Sequence, residues 1–127
     1  MLTVMEFLMD LALTCETIGP CAVLHCDGRI VFGPHADYLA KRCTQIFENY
    51  RALALELSGV TVLDSGGIGS LVRLLNAARK DGKVLALISP SLKVQQVLEV
   101  TNLISAFRQY NSVEDFFTPP LAQAATA

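Results

Sequence analysis

Charge of either sign is scarce in this chain of 127 residues, where Asp, Glu, Lys and Arg make up 17% against 52% hydrophobic residues. That balance excludes an intrinsically disordered protein and fits one globular domain with a real core. The ten Lys and Arg are scattered and the net charge is −2, so no basic stripe argues for direct nucleic-acid binding. Long apolar runs are missing as well, and none reaches the length of a bilayer span. The N-terminal stretch Leu2–Leu13 is greasy, but Glu6 and Asp10 interrupt it. It also lacks the basic start and small-residue cleavage site of a secretory signal. The expected location is cytoplasmic. Residues 1–12 are expected to form an apolar extension, as an extra helix or strand packed on the domain or on a second subunit.

Tight cysteine pairs are a further absence. The four cysteines are Cys15, Cys21, Cys26 and Cys43, with His25 and His35 nearby, and none has the spacing usual in structural zinc sites. Buried free thiols in a reducing compartment are expected, with no metal and no cofactor. No internal repeat or linker interrupts the chain before the tail 118–127, where Pro119-Pro120 and small residues predict a loose end.

What is present is an alternation of strands and helices. Leu13–Ile18 reads as a strand ended by Gly19-Pro20, and Cys21–Cys26 as a second ended by the turn signal Asp27-Gly28, with extended structure resuming over Arg29–Phe32. Apolar residues at Ala36, Leu39, Ala40, Cys43, Ile46 and Phe47 have helical spacing and predict a first helix to about Asn49. A buried strand follows over Arg51–Leu57 and Val60–Leu63. Ile68, Leu71, Val72, Leu75 and Ala78 mark one face of a second helix, closed by Lys80-Asp81-Gly82. Then come a strand over Lys83–Ile88 and a third helix after Ser89-Pro90-Ser91, stopping at Asn102, a residue that tolerates a left-handed terminus. Ile104–Tyr110 reads as a last strand and Ser112–Phe117 as a short helix. The economical solution is an α/β single domain: a mixed sheet of about five strands, mostly parallel in its later part, packed against about four helices.

Chemistry concentrates where the strand ending at Leu63-Asp64 meets the second helix. Ser65 presents a hydroxyl at a helix start, followed by Gly66, Gly67 and Gly69, which clear side chains from the approach. A helix N-terminus exposes unpaired N–H groups and accepts negative charge. Ser65 therefore suits a phosphate site, a nucleophile or a plain helix cap, although no Glu or Gln three residues on completes a capping box. A P-loop needs Lys-Ser/Thr after its glycines, and here Gly69 is followed by Ser70-Leu71. A dinucleotide fingerprint needs glycine where Val72 stands. Asp64-Ser65-Gly66-Gly67 looks like a serine-peptidase signature, with His25-Cys26 upstream, yet 40 residues between His25 and Ser65 are too few for the two barrels of that fold.

The segment Leu55–Gly67, LELSGVTVLDSGG, resembles the STAS domain family, found in bacterial anti-sigma-factor antagonists and at the cytoplasmic ends of sulfate transporters. The resemblance continues through Gly82-Lys83-Val84 and Ser89–Leu103, closes at Val113–Phe117, and covers residues 13–117. What it implies is a binding protein and not an enzyme. In the antagonist branch the serine at the position of Ser65 is phosphorylated by a serine kinase that is also the anti-sigma factor, and a serine phosphatase resets it. The unphosphorylated antagonist sequesters that kinase and so regulates transcription. The docking surface implied comprises Asp64, Ser65, Gly66, Gly67 and Ile68, bordered by Ser58, Thr61, Ser70 and Arg73. Asp64 would position the loop and help bind the kinase's metal-nucleotide. Gly66 departs from the family's second Ser or Thr and leaves one acceptor, while Val31 stands where many members carry a polar residue that contacts the kinase. The alternative is an interaction or scaffold module in a signalling or transport-associated assembly, without a phosphoswitch. A homodimer through the N-terminal extension is a further expectation.

Overall fold

In the computed structural model, residues 4–118 are described, and they form one six-stranded sheet with four α-helices. Strands β1 (Val4–Leu8), β2 (Leu11–Ile18) and β3 (Cys21–Ile30) are antiparallel neighbours. β4 (Ala52–Leu63), β5 (Val84–Ile88) and β6 (Arg108–Tyr110) then add in parallel, giving the spatial order β1-β2-β3-β4-β5-β6. The helices are α1 (Pro34–Phe47), α2 (Ser65–Lys80), α3 (Leu92–Val100) and α4 (Val113–Phe117).

Each helix buries the stripe its spacing dictates. Leu39, Cys43 and Ile46 of α1, Leu71, Leu74, Leu75 and Ala78 of α2, and Val94 and Leu98 of α3 join one core with Leu13, Leu24, Leu53, Leu55 and Leu87 of the sheet. The other sheet face carries a smaller cluster in which Phe116 of α4 lies over Val23, Ala54, Ala86 and Ile88. Burial on both faces explains why β4 and β5 read as nearly continuous apolar runs. Ser91 caps α3 by accepting the Val94 N–H (3.3 Å), and its hydroxyl donates to the Val60 carbonyl (2.8 Å), tying the helix to β4.

The mixed sheet agrees with the expected one of about five strands and about four helices, residues 4–12 adding the extra strand β1 and the start of β2; three other expectations are corrected. Glu6, which interrupts the apolar N-terminus, accepts the Tyr38 hydroxyl (2.7 Å) and pairs with Arg42 (3.2 Å), fastening β1 to α1. Asp27-Gly28 does not turn the chain; β3 runs through it with irregular register against β4. Gly28 has φ 119°, and an added Cβ would stand 1.7 Å from the Asp10 carbonyl oxygen, so the glycine serves a close backbone approach at a bulge. Ile104–Tyr110 is only partly strand: Ile104–Ala106 is a single 3₁₀ turn, and Arg79 donates to the Ala106 carbonyl (2.8 Å), so only the last three residues reach β5. Finally, Cys15, Cys26 and Cys43 are buried free thiols as expected, but Cys21 is half-buried. Asn102 does adopt the left-handed conformation expected of it, with φ 61°. The tail expectation falls, beyond Thr118, outside the described residues.

His25 stands on the sheet face away from α1 and α2, between carboxylates from both neighbouring strands. Its Nε2 lies 2.7 Å from Glu16 Oε1 on β2 and its Nδ1 3.1 Å from Glu56 Oε2 on β4, while Glu56 also accepts the Ser58 N–H (2.7 Å). Burial works against the imidazolium, but hydrogen bonds to Glu16 and Glu56 and their charges outweigh it, raising the His25 pKa above 6.5. Burial likewise opposes charge on Glu56, and Ser58 and His25 together bring its pKa below 4.5. A raised histidine pKa stabilises the fold fully below the unfolded value and loses that contribution as pH rises through the folded value. The Glu56 contribution is present above its unfolded value and is lost as pH falls through the lowered one. Urea denaturation should therefore show lower stability at pH 8 than at pH 6. The drop should be smaller in His25→Gln, and equal drops in both proteins would refute the assignment.

Candidate functional site

Adjacent parallel strands deliver two loops to the same edge of the sheet. β3 and β4 end together, with Ile30 opposite Leu63, so the β3–α1 loop and the β4–α2 junction lie side by side. Ligand and partner sites in parallel sheets gather at such carboxyl ends. Asp64 joins the two loops. Its side chain caps α2 by accepting the Gly67 N–H (2.9 Å), and both carboxylate oxygens lie 3.0 Å from the Phe32 N–H. The Phe32 N–H is the first cause of a carboxyl pKa held below the usual range; partial loss of hydration opposes it, and the Gly67 and Gly66 N–H groups add to it.

The cap is thus Asp64 and not Ser65. Ser65 is the first residue of α2, is exposed, and makes no side-chain hydrogen bond among the described residues. Of the three jobs open to its hydroxyl, capping is removed. The glycines also divide in a way their sequence does not disclose. A Cβ at Gly66 would stand 2.5 Å from Phe32 Cβ, and one at Gly67 would stand 2.3 Å from the Ile30 carbonyl oxygen and 2.7 Å from Leu63 Cδ1. Both are required by the approach of the β3–α1 loop to the helix start. At Gly69 the nearest neighbour would be Arg73 Nη1, at 3.4 Å, so this glycine alone clears the surface.

The residues proposed to meet a partner are not all together. Ser65 and Gly66 line an open depression of about 370 Å³ with Phe32, Asp37, Gly69 and Arg73. Ile68 is half-buried against the core. Gly67 is buried and offers no surface, and Ser70 is 1% exposed with its hydroxyl donating to the Ala36 carbonyl of α1 (3.2 Å), so neither fits the docking role expected of it. Thr61 is exposed and donates to the Gly28 carbonyl (3.2 Å). Ser58 is exposed but precedes Asp64 by six strand positions, roughly 20 Å along β4 at about 3.3 Å per residue.

Sequence reasoning missed Phe32. Its side chain is 79% exposed beside Ser65, a position in which a large aromatic ring contributes nothing to the core. The signal available was an aromatic residue directly before the break Gly33-Pro34 and outside any apolar stripe; the expected extended segment Arg29–Phe32 stops at Ile30, which leaves Phe32 in the loop. Among the described residues, no group of three or more His, Cys, Asp or Glu side chains has the arrangement of a metal site. No helix there is long and apolar enough to cross a membrane.

The family profile described as STAS domain matches residues 12–116. The chain belongs to the STAS domain family. A protein of Thermotoga maritima bearing the provisional name anti-sigma factor antagonist is 34% identical over 68 residues, 54% of this chain and 60% of that one. The STAS chain thus spans about 60% of the length of the curated relatives it matches. Among solved structures, the crystal structure of a Thermotoga maritima protein with the same provisional name has a TM-score of 0.72 at 25% identity, covering 81% of this chain and 89% of that one. The anti-sigma factor antagonist SpoIIAA in its unphosphorylated form gives 0.66 at 16% identity, covering 91% and 97%. A sulfate transporter family protein from Wolinella succinogenes gives 0.66 at 21% identity, covering 78% and 84%. The last two likenesses establish the fold alone.

Removing the Asp64 side chain deletes the α2 cap and leaves the Phe32 N–H without its acceptor. Asp64→Ala should lower stability by about 2 kcal/mol, and Asp64→Asn by less because its amide oxygen can still accept. Urea titration measures both; an unchanged midpoint in Asp64→Ala would show that the junction does not depend on this carboxylate.

Proposed function

We propose that this STAS domain is an anti-sigma-factor antagonist switched by phosphorylation of Ser65. The observation that carries the reading is a hydroxyl relieved of cap duty by Asp64 and exposed at the start of a helix, beside an exposed aromatic side chain. An acceptor of this kind can be modified without breaking any bond the fold uses.

The partner is an anti-sigma factor serine kinase that the unphosphorylated protein sequesters, in a cytoplasmic setting where ATP is available. Phosphoryl transfer joins the γ-phosphorus of ATP to Ser65 Oγ, breaks the bond to the ADP oxygen and releases the hydroxyl proton. A serine phosphatase reverses the modification by hydrolysis. The phosphate brings about −1.5 to −2 charge next to Asp64, on a surface the partner must desolvate. A penalty of about 3 kcal/mol weakens binding roughly a hundredfold. The protein acts as substrate and binding partner, with Asp64 holding the loop, Ser65 carrying the modification, and Phe32, Gly66, Ile68 and Arg73 giving the face. Thr61 and Ser58 lie farther back along β4 and border it at most.

The second reading is a STAS interaction module in a signalling or transport-associated assembly without a phosphoswitch. A homodimer is compatible with either: β1 is the outer strand of the sheet, and Phe7 on it and Met9 just after it are 68% and 73% exposed.

Incubation with the kinase and ATP, followed by intact mass and peptide mapping, should place one phosphate on Ser65 and none on Ser65→Ala. Equal labelling of that variant would sink the proposal. Ser65→Asp should bind the kinase roughly a hundredfold more weakly while keeping its circular dichroism spectrum. Phe32→Ala should weaken binding by about tenfold or more with little change in stability, as loss of an aromatic anchor does at an interface; unchanged affinity would place the docking face elsewhere.

A further inference from the structure

Ser65, Gly69 and Arg73 are spaced four apart on α2 and so share one stripe of the helix surface. Long side chains on a helix lean toward its N-terminus. Arg73 does so here: its Nη1 lies 3.4 Å from the point where a Cβ on Gly69 would stand, one turn back toward Ser65. Because Gly69 has no side chain, the lane from Arg73 to Ser65 is open, and from Gly69, where the guanidinium lies, about one further turn of helix, roughly 6 Å of rise, leads to Ser65. Both residues line the same depression.

The charges around this lane are unequal. Asp37 lines the depression and the Asp64 carboxylate precedes Ser65, but Asp64 is engaged with backbone N–H groups. Arg29 pairs with Asp10 and Arg42 with Glu6, whereas Arg73 makes no ion pair among the described residues. A guanidinium with no carboxylate partner thus lies over a bare glycine one turn from the hydroxyl.

We propose that Arg73 is the built-in counter-ion of phosphorylated Ser65, reaching along the Gly69 lane to form a charge-assisted pair with the phosphate. This rests on the reading of Ser65 as a phosphoacceptor. Its consequence for regulation is that one modification removes two features of the docking face. The hydroxyl becomes an anion, and the cation beside it is drawn onto that anion and away from the partner. Arg73 is a positioning residue here, since it touches the phosphate only after transfer is complete.

The test separates this pair from the kinase question. Phosphoserine installed at position 65 of the full chain during translation supplies the modified protein without any kinase. Phosphorus NMR titration then reads the second ionisation of the phosphate, which is ordinarily near pH 6. With Arg73 present it should lie roughly half a unit or more below that of Arg73→Gln, with Arg73→Lys in between. The difference should shrink in about 1 M salt, where the Debye length falls to about 3 Å. Coincident titration curves for the native protein and Arg73→Gln would overturn the pair. Coincident curves together with kinase labelling of Ser65 would leave the phosphoswitch standing; a shifted curve without such labelling would uphold the pair and count against the switch.

Discussion

One carboxylate holds the carboxyl ends of β3 and β4 together. Asp64 sits where β4 becomes α2, and its oxygens accept the N–H of Gly67 in the first turn of that helix and the N–H of Phe32, 32 residues back in sequence. The helix start would otherwise leave several N–H groups without partners. The Phe32 N–H of the β3–α1 loop finds its acceptor in the same carboxylate, which registers that loop against the start of α2. Gly66 and Gly67 belong to the same constraint, because the loop backbone fills the space their side chains would take. With the cap, the approach and the loop fixed by Asp64 and two glycines, Ser65 carries no structural burden. The site therefore separates its supports from its chemistry.

That separation is what the proposed phosphoswitch requires. A nucleophile needs a base held within hydrogen-bond reach and a donor pocket for the developing charge. Neither histidine meets that need: His25 is committed to Glu16 and Glu56 on the sheet face, and His35 is buried in the first turn of α1. A phosphoacceptor needs only an accessible hydroxyl and a surface whose binding depends on its charge. The exposed Phe32 ring and Arg73 give that surface an apolar and a cationic element in the same depression as the hydroxyl. The rest of the fold keeps this edge rigid. Glu6 ties the N-terminal hairpin to α1, Ser70 ties α2 to α1, and Ser91 ties α3 to β4.

Much of the architecture was legible because its signals are local. The stripe Leu39, Cys43, Ile46 and the stripe Leu71, Leu75, Ala78 each have helical period, and both are buried as the period requires. Asn102 took the left-handed conformation expected of it at a helix end, and Gly82, expected to close α2, is left-handed as well. The misreadings came from residues whose role is decided by a distant partner. Asp27-Gly28 has the composition of a hairpin turn, but a strand on either side holds it extended, and the glycine is there for Asp10. Ser70 looked like a surface residue on α2 until α1 supplied the Ala36 carbonyl.

By itself the sequence determined the alternation of elements, the single domain, the strand that ends in Asp-Ser and the position of the one hydroxyl at that junction. These follow from hydrophobic period and from turn chemistry, which act over a few residues. Only the tertiary structure decided which of two neighbouring residues caps α2, since Ser65 and Asp64 are both competent caps by composition. The deciding bond comes from Phe32, brought alongside by the parallel pairing of β3 with β4. The same pairing put an aromatic ring beside the hydroxyl, and packing against Phe32 and Ile30 gave two of the three glycines their reason. Contacts across such sequence distances leave no periodic trace in the chain, which is why the strand–helix junction was legible in the sequence but the separate roles of Asp64, Ser65 and the glycines were not.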